Sequence, residues 1–189
     1  MQEIITAIQN WMALRSQPDQ LVELFNTYTG FEIDMSLFPQ REPLHAYAAV
    51  KSNGEFGFYV ISQVNDVDSP DEVLSANCFW CGCTGGMKGQ EITEAEALVR
   101  IDLWQADYPV WIPEVVTTPF GIYETFFIPT EDLQPQTYNV SFALKADVLN
   151  PSGKVADLIL NNGAGVYYDT VRREPPYRNR SNYYILNLL

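Results

Sequence analysis

Residues 45–61 constrain this chain more than any other stretch. His45-Ala46-Tyr47-Ala48-Ala49-Val50 and Phe56-Gly57-Phe58-Tyr59-Val60-Ile61 are two β-prone runs, and Asn53-Gly54 lies between them. Asn and Gly both tolerate the positive φ of a tight turn, so the pair predicts an antiparallel hairpin. From Val110 onward the pattern is strand, turn, strand. Candidate strands cover 111–117, 121–128, 137–145, 155–160, 166–171 and 182–188. Pro119-Phe120-Gly121, 129–135, Asn150-Pro151-Ser152-Gly153 and Asn161-Asn162-Gly163 supply the turns. Alternation is cleanest over 138–144, where apolar side chains occupy every second position from Tyr138 to Leu144. Short strands joined by Gly, Pro and Asn turns predict an antiparallel β-sandwich or a partly open barrel.

The first 30 residues read as a helical hairpin. Ile4, Ile5, Ile8, Trp11 and Met12 recur at helical spacing, and Leu21, Leu24, Phe25 and Tyr28 form a second stripe. Ser16, Pro18 and Asp19 break the chain between them, and Gly30 stands where a helix stops. Each stripe is apolar on one side only, so the hairpin must pack on its own sheet or on a neighbour. Residues 31–43, with Pro39 and Pro43, read as irregular, and 63–72 as an acidic loop. Thr93 and Glu96 fit a capping box, which predicts a short helix from Glu94 towards Gln105 with Leu98, Ile101 and Trp104 on its buried side. A strand over 98–103 competes with it. The fold expected is mainly β within the α+β class, with an N-terminal helical hairpin and one short additional helix. All of 1–189 is expected to form one domain: the hairpin at 1–30, a β-hairpin with the cysteine segment and short helix at 44–108, and the antiparallel part at 110–189.

With 47% apolar and 19% charged residues, the composition is that of a folded chain and not of a disordered one. The net charge of −13 repels nucleic acid and anionic membranes, so neither is an expected partner. No run of ~18 apolar residues is present, and Met1-Gln2-Glu3 lacks the basic flank of a signal peptide. The charge is uneven. Arg172, Arg173, Arg178 and Arg180 cluster near the C-terminus against Asp169 and Glu174, while the remainder is strongly acidic. A basic segment on an acidic body can attract a second copy or an acidic neighbour. The plainer reading pairs these arginines with local acids on a solvated loop.

All three cysteines fall within Cys78-Phe79-Trp80-Cys81-Gly82-Cys83, and His45 is the sole histidine. An odd, clustered count does not make a disulfide scaffold, and the compartment expected is the reducing cytoplasm or a particle assembled there. Cys78, Cys81 and Cys83 provide three thiolates but no fourth partner nearby, so no metal and no cofactor is expected. Trp80-Cys81-Gly82-Cys83 resembles the thioredoxin-family active-site motif with its proline missing, over these four residues alone. That resemblance implies thiol redox chemistry. However, a single intervening glycine strains a Cys81–Cys83 bond, a Cys78–Cys81 bond is less strained, and Thr84-Gly85-Gly86 is a poor helix start. Asp66 and Asp68 resemble the opening of a calcium loop, but Pro70, Asp71 and Asn77 occupy positions that need a ligand, a glycine and a glutamate. No serine elbow and no phosphate-binding loop occurs, and His45 sits among apolar neighbours as a structural histidine would.

These features favour a non-enzymatic structural or assembly subunit acting through protein–protein contacts with itself or with other subunits. A phage or virion head, connector or tail component is such a subunit. In that picture Arg172, Arg173, Arg178 and Arg180 flank the stiff Pro175-Pro176 as an arm, and Tyr177 is its anchor. The alternative is a ligand-binding β-domain, carbohydrate first, using Trp80, Trp104, Trp111, Tyr123, Tyr167 or Tyr168 as stacking faces. A thiol redox protein built on Cys81 and Cys83 is third. The apolar end, 183–189, should be buried, as a last strand of its own sheet or against a partner.

Overall fold

The predicted hairpin forms as the strands β2 (Leu44–Val50) and β3 (Phe56–Ser62), paired in register from Leu44↔Ser62 to Val50↔Phe56. Gly54 alone takes positive φ, at 85°, while Asn53 accepts the Glu55 N–H through its side chain. Around this hairpin a computed structural model describes residues 1–84, 95–147, 153–169, 171–176 and 179–189. The capping pair at Thr93, the turn at Asn150–Ser152, the glycines Gly85 and Gly86, and Tyr177 and Arg178 lie outside the described residues.

The other strands are β1 (Gly30–Asp34), β4 (Cys78–Thr84), β5 (Thr125–Ile128), β6 (Thr137–Ala146), β7 (Lys154–Asn161), β8 (Tyr167–Tyr168) and β9 (Arg172–Glu174). Among the described residues these and the hairpin build one curled, antiparallel sheet of nine strands in the order β8-β7-β6-β1-β4-β3-β2-β5-β9. Of the two architectures expected, the partly open barrel is the one formed. The supposedly irregular stretch after Gly30 supplies β1, the strand that joins the two halves of the sheet. Gly30 is required there, because a Cβ would stand 2.1 Å from the Val140 carbonyl oxygen.

Period-two alternation sorts the side chains onto two faces. Phe31, Phe56, Phe58, Phe126 and Phe142 point to the concave side and interlock, with ring centroids 4.6 Å apart for Phe31–Phe58 and 6.0 Å for Phe58–Phe126. Each such phenylalanine contributes about 1.5–3 kcal/mol by leaving water. Two helices close this side: α2 (Pro18–Thr27), through Leu21 and Phe25, and α4 (Ala95–Val116), through Trp104, Trp111 and Ile112. The convex side is covered over β2 and β3 by α1 (Gln2–Leu14), through Ile4, Ala7 and Ile8. Trp11, at the far end of α1, turns into the concave core and donates to the Tyr123 carbonyl at 3.1 Å. The predicted helical hairpin therefore forms, but its two helices pack on opposite faces.

Several elements depart from expectation. The short helix is a long one: α4 runs through the stretch expected as a strand at 111–117 and carries Pro109 and Pro113 within it. Its inner positions, Ala97, Ile101, Trp104, Trp111 and Ile112, keep helical spacing, and this burial outweighs the β-prone residues and the two prolines. Ala143 and Phe142 face opposite ways, yet Ala97 and Ile101 pack with Ala143 and Trp104 with Phe142, so α4 reaches both faces of β6. A further helix, α3 (Asp71–Asn77), takes the last two residues of the acidic loop and continues to the cysteine segment. The C-terminal strand does not form. Residues Arg180–Asn182 and Tyr184–Leu188 are 3-10 turns laid on the convex face, with Tyr183, Ile185 and Leu186 buried against α1 and β2. No helix among the described residues is long and apolar enough to cross a membrane.

Candidate functional site

The register of β2, β5 and β9 lines up two rows of side chains on the convex face. His45 pairs with Phe127 and Phe127 with Arg172; Tyr47 pairs with Thr125 and Thr125 with Glu174. The segment at 179–183 passes over these rows and leaves a cleft of about 190 Å³ lined by His45, Phe127, Arg172 and Glu174 from the strands and by Asn179, Asn182, Tyr183 and Gln63 from the roof and rim. A second cleft, about 290 Å³, shares Gln63 and Asn182 and continues past Asp68, Ser181 and Tyr184.

Beneath both lies a buried polar cluster centred on Asp66. Its carboxylate accepts from His45 Nδ1 at 2.6 Å, from the Tyr47 hydroxyl, and from the Ile185 main-chain N–H at 3.1 Å. Asp66 is 3% exposed and His45 1%. The Asp66 carboxylate thus accepts the Nδ1–H of His45, a residue that also lines the first cleft. The Tyr183 ring packs on His45 at a tilt of 32°, centroids 4.3 Å apart, and its hydroxyl is hydrogen-bonded to Glu174. Burial, then the nearby Asp66 charge, holds the Tyr47 hydroxyl well above its ordinary pKa; burial and then Glu174 raise Tyr183. Tyr184 donates to Asp68 at 2.8 Å. The C-terminal segment is thus tied to the body through Asp66 and Asp68, two acids of the stretch read from the sequence as an acidic loop. Asp66 was the residue the sequence hid: its partners lie 21 and 119 positions away.

Of the four arginines, Arg172, Arg173 and Arg180 fall within the described residues. Arg172 and Arg173 belong to the edge strand β9 and point to opposite faces. Arg172 is exposed and its guanidinium carbon lies 5.5 Å from the Phe127 ring centre; Arg173 is half-buried and donates to the Pro175 carbonyl at 3.1 Å. Arg180 is exposed at the start of the 3-10 turn Arg180–Asn182. The cysteines are also separated by strand alternation. Cys81 and Cys83 face the concave core, whereas Cys78 faces α1. All three are buried free thiols, and burial pushes Cys81 up to about 12 and raises Cys78 and Cys83 as well. A thiol so held is a poor nucleophile at neutral pH. Among the described residues no group of three or more His, Cys, Asp or Glu is placed to hold a metal ion.

Four of the six suggested stacking aromatics are engaged elsewhere. Trp104, Trp111 and Tyr123 are core residues, and Trp80 is half-buried beneath Lys51, whose Nζ lies 4.2 Å from the ring centre. Tyr167 and Tyr168 border a small cleft of about 60 Å³ beside Arg100 and Asp169. There Arg100 and Lys145 share Asp157 and Asp169 as ion-pair partners.

One surface has an unusual composition. The outward stripe of α4, at helical spacing, is Ala95, Val99, Asp102, Ala106, Pro109, Val110 and Pro113. Val99 is 57% and Val110 66% exposed. A surface helix normally turns charged and polar groups outward, and here only Asp102 is charged. No family model, curated protein or solved structure matches the chain.

Proposed function

We propose that the chain is a non-enzymatic structural subunit that works through protein–protein contacts in a repetitive assembly built in the cytoplasm, of which a virion head, connector or tail is an example. The observation that carries this reading is the outward stripe of α4. Burying what remains exposed of Val99 and Val110 contributes about 1 kcal/mol each. Pro109 and Pro113 lack N–H groups, so the carbonyls of Gln105 and Pro109 have no donor four residues on and offer acceptors to a partner. The stripe is bordered by the exposed acids Glu96 and Glu114.

Two copies meeting stripe to stripe about a two-fold axis would bring Asp102 close to Asp102 and add one net charge of −13 to another. The arrangement favoured instead is head-to-tail, with the stripe of one copy against the β9 side of the next, where Arg172 is exposed on the strand and Arg180 on the segment that crosses it. Such a contact propagates into a ring or a filament. The test is light scattering on two variants, Val99→Glu/Val110→Glu and Arg172→Glu/Arg180→Glu. Each alone should be monomeric, and mixing them should give one-to-one dimers that grow no further, since each retains one intact face. A wild-type chain that stays monomeric at low salt, or variants that assemble as the wild type does, would overturn the proposal.

A further inference from the structure

We infer that the cleft over β2, β5 and β9 binds one residue of a neutral saccharide, and that the adjoining cleft holds a second. The chemistry of the walls selects the ligand. Arg172 and the Asn182 and Gln63 amides offer donors; Glu174 and the same amides offer acceptors, with His45 beside them. Donors and acceptors are interleaved, so the complementary ligand carries groups that do both, and a hydroxyl is such a group.

The other ligand classes fit less well. An anion meets Glu174 and a body of net charge −13; a cation meets Arg172. An apolar ligand leaves the polar wall without partners, at a cost of about 1–3 kcal/mol for each buried group. Phe127, half-buried beneath Arg172, adds apolar area to the wall for the carbon side of a pyranose. The wall is also pre-set. Asp66 fixes the His45 ring, Tyr183 is held between His45 and Glu174, and Arg172 rests over Phe127. Groups fixed before binding lose little entropy on capture. At about 190 Å³ the first cleft is smaller than a drug-sized pocket, which spans ~300–1,000 Å³, and this limits it to one ring. Gln63 and Asn182, common to both clefts, then lie at the junction of two sugar residues. Asp68, Ser181 and Tyr184 serve the second.

The test is ligand-observed saturation-transfer NMR on the full chain with glucose, galactose, mannose, N-acetylglucosamine, maltose, cellobiose and lactose. At least one disaccharide should bind about tenfold more tightly than its monosaccharide, as two subsites require. The surface variant Gln63→Ala/Asn182→Ala should weaken that disaccharide at least tenfold, about 1.4 kcal/mol, with its thermal unfolding midpoint unchanged. Three results would overturn the inference: no transfer to any sugar at concentrations of order 10 mM, binding that the double variant leaves intact, or capture of inorganic phosphate in place of sugars. None of them bears on the scattering of Val99→Glu/Val110→Glu, which reads the α4 stripe; Arg172 is common to the cleft wall and to the proposed contact.

Discussion

Asp157 shows how a single residue sets a pH dependence. Its side chain is 1% exposed on β7, and burial raises its pKa to about 6 although Lys145 and Arg100 pull the other way. A carboxyl with a higher pKa folded than unfolded is protonated more readily in the native state. Its contribution to stability is therefore greatest in acid and declines as pH rises from about 4 to about 6. A shift of that size corresponds to about 3 kcal/mol. Asp157→Asn cannot titrate, so the unfolding free energy of the wild type minus that of the variant should fall by about that amount between pH 4 and pH 7. Chemical denaturation at the two pH values measures this, and an unchanged difference would mean that Lys145 and Arg100 fully compensate the buried charge. Asp169, in the same cluster, has a lowered pKa set by Arg100 and Lys145 against partial burial, so its contribution is lost in acid and has the opposite sign. Neither role is legible in the sequence, where both are unremarkable acids among turn and strand residues. Asp66 is a similar case. Within Val64-Asn65-Asp66-Val67-Asp68 nothing marks the one aspartate that three donors bury.

At the level of elements, the sequence is most informative where local chemistry decides and least where a distant partner does. The hairpin at Gly54, the two N-terminal helices and the alternation of β6 are local, and they form within a few residues of where they are expected. α4 and the C-terminal segment are not local. Val110-Trp111-Ile112 and Val115-Val116-Thr117 favour a strand taken alone, and Pro109 and Pro113 read as breakers. Placement of Trp104, Trp111 and Ile112 into the concave core decides for helix. Tyr183-Tyr184-Ile185-Leu186 is likewise β-prone, but the covered convex face offers no strand edge, so the segment buries its side chains in 3-10 turns. Its energetic weight follows from what it covers. Tyr183, Ile185 and Leu186 are each under 5% exposed, and burial of three such side chains contributes on the order of 5 kcal/mol. Removing 183–189 also uncovers His45, Tyr47 and Asp66 and strips one donor from Asp66. That approaches the whole net stability of a typical domain, about 5–15 kcal/mol. The truncated chain should unfold at a markedly lower denaturant midpoint and bind a hydrophobic dye at neutral pH. A midpoint within error of the full chain would show that the segment rests on the sheet without stabilising it.

At the scale of the whole molecule, the net charge of −13 acts on folding and on association in opposite directions. Within one chain the excess of acids is self-repulsive, so screening it stabilises the fold. Between chains, the proposed contact sets the arginine-bearing β9 edge against the acids beside the α4 stripe, so screening weakens it. Raising salt from 0.01 M to 0.15 M shortens the screening length from about 30 Å to about 8 Å, which spans the distances over which both effects operate. The thermal midpoint of a monomeric variant such as Val99→Glu/Val110→Glu should therefore rise over this range. A gain of about 1 kcal/mol moves it by about 2–4 °C for a chain of this size. Over the same range the scattering mass of the wild type should fall. The two trends separate charge from apolar burial as the source of association. If the mass holds or grows with salt while the midpoint rises, the stripe associates through Val99, Ala106 and Val110 alone. The arginine edge is then excluded from the contact, and the symmetric stripe-to-stripe arrangement, with Asp102 screened, takes its place.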